Sequence, residues 1–112
     1  GVKIIKKYID KNYIMDPHTA TCLKAYENLK EKDLKTVIYS TAEWTKFSPT
    51  VLNALDQNET FHTDKEALET ISKKYNAKLP DSITELFSSK INHNLVINKE
   101  EIEEEIIKFI KD

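Results

Sequence analysis

Glycine is almost missing from this chain. Gly1 is the only one in 112 residues, where ordinary usage is roughly 7%. That excludes a phosphate-cradling loop of the P-loop or dinucleotide type, and with it a complete nucleotide or cofactor enzyme built on one. Cysteine is as scarce. Cys22 stands alone, so no internal disulfide forms, and a reducing cytoplasm is the expected compartment. No apolar run is long enough to cross a bilayer. Gly1-Val2-Lys3 leads straight into charged sequence without a secretory pattern. The net charge of -2 gives no field for gripping nucleic acid, so neither nucleic acid nor membrane is an expected partner. A chain that opens on glycine rather than methionine is expected to be a piece of something longer.

What is present suits one ordinary globular unit. Hydrophobic residues make up 39% and charged residues 32%, enough for a single modest core. Val2, Ile5 and Ile9 recur at spacings of three and four, with Lys3, Lys6, Lys7 and Asp10 on the other side. This predicts an amphipathic helix ending near Asn12. Tyr13-Ile14-Met15 is a brief extended bridge. Asp16 is a good N-cap and Pro17 falls at the first helical position. A helix is therefore predicted to about Lys30, with Leu23, Tyr26 and Leu29 on one face.

Thr36-Val37-Ile38-Tyr39-Ser40 is apolar and rich in β-branched residues. It predicts a strand over about 35–40, buried on both faces as in a parallel sheet. The fold class expected is therefore α/β, helix-rich, with one main buried strand. A lone strand of this type leaves backbone groups unpaired, which again points to a piece of a larger protein or to pairing with a second copy. Ser48-Pro49 opens a further helix carrying Val51, Leu52 and Leu55. Thr63 to Glu66 is a capping box ahead of Leu68, Ile71 and Tyr75. Pro80-Asp81 starts a short helix with Ile83, Leu86 and Phe87, and Asn94 to Ile97 is a small extended segment. Asn98 with Glu101 caps a last helix whose core face is Ile102, Ile106, Phe109 and Ile110. Its glutamates come early and its lysines late, matching the helix dipole.

Several groups could carry chemistry, and each has a plainer reading. His18 and Thr19 in the first helical turn serve as cap and polar surface, or else that helix start faces an anionic ligand. Cys22 reads as a buried, inert thiol. His18 and Cys22 share a helix face, but two residues make a weak metal site, and no metal is expected. His62 and His93 fall in polar loops and are expected to be solvated. The glutamates at 100–105 read as a solvated helix face, and Asn58-Glu59-Thr60 matches a glycosylation sequon without meaning inside a cell. Ser40-Thr41 either closes the strand or meets a ligand, since open α/β sheets bind ligands beyond the carboxyl ends of strands.

Two stretches taken together go further. "DPHTATCLKAYENL" from Asp16, and "KTVIYSTAEWTKFSPTVLNAL" beginning at Lys35, resemble the C-terminal part of the threonine synthase family. The family shows an Asp-Pro-His-Thr/Ser-Ala helix start and a strand ending in Ser/Gly-Thr-Ala. A Lys-Phe and a short helix with a Val/Leu…Ala-Leu pattern follow. Here these are Asp16 to Ala20, Ser40 to Ala42, Lys46-Phe47, and Val51 to Leu55. The resemblance covers about Val2 to Leu55. It implies a pyridoxal-phosphate lyase of fold type II that converts O-phospho-L-homoserine and water into L-threonine and phosphate. It implies residues 1–55 as a cofactor-domain portion and 56–112 as a helical tail. Thr41 corresponds to the hydroxyl that meets the cofactor's pyridine nitrogen. A neutral hydroxyl there tunes the ring's electron-sink strength differently from a carboxylate. Asp16, His18, Thr19, Ser40 and Lys46 are pocket-lining candidates by the same resemblance.

There are two departures. Glu43-Trp44-Thr45 stands where family members commonly carry His-Pro-Ala, so no role passes to Glu43. The Schiff-base lysine and the glycine-rich phosphate loop of the family lie upstream of the matching part, so no residue here is expected to be catalytic. This chain alone is expected to hold no pyridoxal phosphate and to make no threonine. The expected partners are the remainder of the parent enzyme, its phosphohomoserine substrate, and a second copy through the exposed strand edge. The competing reading is an autonomous helical protein-interaction module. A piece of an enzyme leaves the 37–39 strand exposed or self-paired, beside large apolar patches. A module closes its core.

Overall fold

A computed structural model of the chain describes residues 1–57 and 62–112; the sequon at Asn58 lies outside them. The described residues form six α-helices: α1 (Val2–Ile9), α2 (Pro17–Leu29), α3 (Ser48–Asp56), α4 (Asp64–Lys74), α5 (Asp81–Leu86) and α6 (Ile102–Lys111). A 3₁₀ turn at Trp44–Phe47 leads into α3, and another at Lys99–Glu101 leads into α6. None of these helices is long and apolar enough to cross a membrane.

The helix starts follow the capping chemistry of the sequence. Asp16 accepts from the backbone N–H groups of His18 and Thr19 ahead of α2. Thr63 and Glu66 form a reciprocal capping box at α4. The Asn98 N–H donates to Glu101 Oε2 at 2.8 Å ahead of α6. The ends show how the chain manages without glycine. Asn12, Gln57 and Asn76 adopt φ of 57°, 54° and 50°, the left-handed turn that glycine commonly supplies after a helix. Asparagine bears that conformation better than most side chains.

The core lies where α3 packs between α1 and α4, with α2 against α1. Ile4, Ile5, Val51, Leu52, Leu55 and Ile71 fill it, with Met15 and Ala20 from the start of α2. Ser48 Oγ donates to the Asp64 carbonyl at 3.1 Å and ties the starts of α3 and α4 together.

The expected α/β architecture is not what forms. Among the described residues there is no strand. The 35–40 run is extended but unpaired, with Val37 80% and Tyr39 85% exposed. β-branched residues favour a pleated surface only where a neighbouring strand supplies packing and ladder bonds, and among the described residues no strand pairs with this run. The edge expected to pair with a second copy is therefore absent as a strand. The Asn94–Ile97 stretch is likewise irregular. Helix α6 forms as expected, but its core face is exposed, with Ile106 53% and Phe109 83% accessible. Leu29 is exposed too. Cys22 is exposed rather than buried, because α2 turns Thr19 and Ala20 to the core.

Candidate functional site

The site candidates converge where the start of α2 meets the segment ahead of the 3₁₀ turn. Asp16 is 2% exposed, and its two carboxylate oxygens divide their work. Oδ1 accepts from the N–H of His18 at 2.9 Å and of Thr19 at 3.1 Å. Oδ2 accepts from the Thr19 hydroxyl and from the Ser40 hydroxyl at 3.2 Å. The Thr19 and Ser40 hydroxyls lie 3.0 Å apart, and Ser40 Oγ also lies 2.9 Å from the Ala42 carbonyl. Burial alone pushes the Asp16 carboxyl up. The hydrogen bonds from Thr19, His18 and Ser40 outweigh it and hold the group below the usual carboxylate range.

Beside this cluster opens a cleft of about 1260 Å³. One side is the turn after α1, with Asn12, Tyr13 and Ile14. The second is Ser40 to Trp44, and the third is the end of α4 from Lys74 to Lys78. Both helix-ending asparagines with left-handed backbone, Asn12 and Asn76, therefore face the cleft. Lys74 Nζ pairs with Asp56 Oδ1, and the Tyr75 hydroxyl donates to the same oxygen at 3.0 Å. The Lys74 bond first, and Tyr75 after it, hold Asp56 below the usual carboxylate range. Burial, then Asp56, pushes the Tyr75 phenol up.

Of the residues singled out in the sequence, Asp16, Ser40 and Thr41 line the cleft. Thr19 is buried behind Asp16 and outside the lining. His18 turns outward. Its Nδ1 is 3.6 Å from Asp16 Oδ1, and its ring leans on Phe47 with centroids 4.8 Å apart. Lys46 is also outside the lining, with Nζ 5.9 Å from the centre of the Phe47 ring. Sequence reasoning missed the α4 wall. Its one local signal was an asparagine after Lys73-Lys74-Tyr75, a helix-ending pattern. Among the described residues no group of three or more His, Cys, Asp or Glu side chains could hold a metal.

Comparison with known proteins points in one direction. The chain is 36% identical over 73 residues to threonine synthase-like 1 of Mus musculus, covering 65% of this chain and 10% of that protein. It is 34% identical over 73 residues to threonine synthase-like 1 of Homo sapiens, with the same coverage. It is 31% identical over 100 residues to threonine synthase of Schizosaccharomyces pombe, covering 85% of this chain and 19% of that protein. The chain thus spans between a tenth and a fifth of the length of these relatives. These similarities support a distant relationship to threonine synthase and its like-1 relatives. No family model matches the chain, and no solved structure matches it.

Proposed function

We propose that this chain is the C-terminal segment of a pyridoxal-phosphate-dependent lyase of the threonine synthase type. Its substrate is O-phospho-L-homoserine and its products are L-threonine and phosphate. In this reading residues 1–55 contribute two walls of the cofactor site and the end of α4 a third, and the rest of 56–112 forms a helical tail that lies against the remainder of the polypeptide. The observation that carries it is the position of Thr41. Its hydroxyl-bearing residue lines a large open cleft, next to Ser40, which is bonded to a buried carboxylate. The similarity to threonine synthases supports the same reading. So do the exposed apolar side chains Leu34, Val37, Tyr39, Leu95, Phe109 and Ile110, which suit a piece of a larger body better than a self-contained interaction module.

The residues present fit only an edge of such a cofactor. Pyridoxal phosphate supplies the electron sink for the reaction, and it needs an anion cradle and a free amine from the protein. The sole glycine, Gly1, lies in open space; of the two lysines at the cleft, Lys74 is held by Asp56, and Lys78 follows no Schiff-base motif of the family. The chain therefore offers the hydroxyl of Thr41 to the ring and no cradle for the phosphate. The cradle and the amine come from the remainder of the parent enzyme.

Two variants of the full-length enzyme test this. Thr41→Ser keeps the hydroxyl and leaves turnover near the unmutated rate. Thr41→Val keeps the shape and removes the hydroxyl. Leaving a buried ring nitrogen unpaired costs about 1–3 kcal/mol, so turnover falls by roughly tenfold or more. Circular dichroism checks that both variants fold. An unmutated rate in Thr41→Val removes Thr41 from the site.

A further inference from the structure

We propose that Asp16 is a positioning residue for the cleft: its second carboxylate oxygen anchors Ser40 and so holds the backbone that presents Thr41. The inference rests on the cofactor reading above and specifies how that site is held.

A helix cap alone needs one carboxylate oxygen. Oδ1 performs that task with the N–H groups of His18 and Thr19. Oδ2 does something a cap does not require, since it takes hydroxyls from Thr19 and from Ser40, which is 24 residues away in the chain. A buried carboxylate is costly to keep unless its oxygens are bonded. Among the described residues Asp16 has no lysine partner, and its one ion-pair neighbour is the outward-turned His18. The hydroxyls are thus its compensation, and Ser40 is the one that reaches the cleft.

The protons can be counted. An ionised Asp16 brings none, so the Thr19 and Ser40 hydroxyls supply two. These serve three acceptors, namely Asp16 Oδ2, Ser40 Oγ and the Ala42 carbonyl. The Ser40 proton goes either to Asp16 or to Ala42, and the Thr19 proton either to Asp16 or to the Ser40 oxygen. Unless Ser40 donates to Ala42 while Thr19 donates to Asp16, a hydrogen bond ties Ser40 to the start of α2, and the Ala42 carbonyl joins only when Ser40 donates to it. That start is fixed in turn by buried Met15 and Ala20. The extended run before Ser40 has no ladder to hold it; Thr36 Oγ1 lies 3.3 Å from the Tyr26 hydroxyl at its start, and this cluster anchors its end.

Asp16→Asn separates cap from anchor. Asparagine caps helices as well as aspartate. With its oxygen on the cap, its NH₂ group can only donate to the two hydroxyl oxygens, so the charge-assisted link to Ser40 is reversed and weakened. Ser40→Ala removes the link without touching the cap, and carries the test if Asp16→Asn does not fold. Both are made in the full-length enzyme loaded with pyridoxal phosphate, alone and combined with Thr41→Val. The readouts are kcat and KM for phosphohomoserine, the cofactor absorbance spectrum, and the melting temperature. Ser40→Ala is expected to lower kcat roughly three- to tenfold and to shift the cofactor band, with KM little changed, and Asp16→Asn to act in the same direction but less. In the Thr41→Val background the same substitutions are expected to change kcat by less than about twofold, because coupled residues are not additive. Full, multiplicative losses in that background overturn the anchoring role while leaving the cofactor reading intact. A silent Thr41→Val overturns both.

Discussion

Helices α3 and α6 are close in length and both carry a strong apolar face, yet they end in opposite surroundings. In α3, Val51, Leu52, Ala54 and Leu55 are buried between α1 and α4. In α6 no residue is buried, although Ile102, Ile106, Phe109 and Ile110 make a comparable stripe. The difference lies in what the connections allow. A buried serine ties α3 to α4, and the turn after α1 folds Met15 under them. Irregular chain from Phe87 to Asn98 leads to α6 without docking it on the body. Isolated helices this short are marginal in water. What supports α6 locally is the Asn98–Glu101 bond and the pairing of Lys108 with Glu104 and Glu105 at 3.6 and 2.8 Å. An amphipathic face therefore states that a helix needs a partner, and not that the partner lies within the same 112 residues.

The largest expected effect tests that contrast. Leu52→Ala opens a cavity in the core of the body and should destabilise it by about 2–5 kcal/mol. Phe109→Ala on the exposed face of α6 should change stability by no more than about 0.5 kcal/mol. Urea titration followed through Trp44, which packs at the edge of the core, measures both. Equal losses would mean that the tail docks on the body, and the comparison would break.

A smaller effect sharpens the same contrast at the two carboxylates of the body. Asp16 and Asp56 are both held below their ordinary value. A group whose folded pKa is depressed adds stability above its unfolded pKa of about 3.9 and loses it as pH falls through the folded value. Stability should therefore fall below about pH 4, and Asp16→Asn and Asp56→Asn should each flatten that acid limb. The two differ in salt response. Asp16 is held by neutral donors, so its share persists at high ionic strength. Asp56 is held by Lys74, whose side chain is 53% exposed, so its share shrinks as salt screens the pair. Melting temperatures from pH 2 to 7, at low and high salt, separate the two. Identical salt responses would contradict the assignment of causes.

Local signals in the sequence translated directly into structure. Asp16-Pro17, Ser48-Pro49, Thr63 with Glu66, and Asn98 with Glu101 each begin a helix within a residue or two of the expected place, because a cap is settled by its immediate neighbours. Signals that depend on distant chain did not translate. Val37-Ile38-Tyr39 has strand composition and, among the described residues, no strand beside it. Cys22 has the character of a core residue, but the packing of α2 against α1 turns Thr19 and Ala20 inward instead. The site divides the same way. Asp16 is legible from a helix start, whereas Ser40 and Thr41 are legible from the end of an expected strand that does not form and from the family resemblance; all three line the cleft. The wall from Lys74 to Lys78 is not legible, since nothing local links the end of α4 to the start of α2. His18 and Lys46 belong to the motif in sequence but lie outside the cleft.

The most direct measurement is threonine formation from O-phospho-L-homoserine by the full-length polypeptide that carries this segment, supplied with pyridoxal phosphate, beside the 112-residue chain alone. The account predicts that the full-length protein releases threonine and phosphate in equal amounts and that the isolated chain releases neither. A folded, cofactor-loaded full-length protein that forms no threonine, or an isolated chain that does, would contradict it.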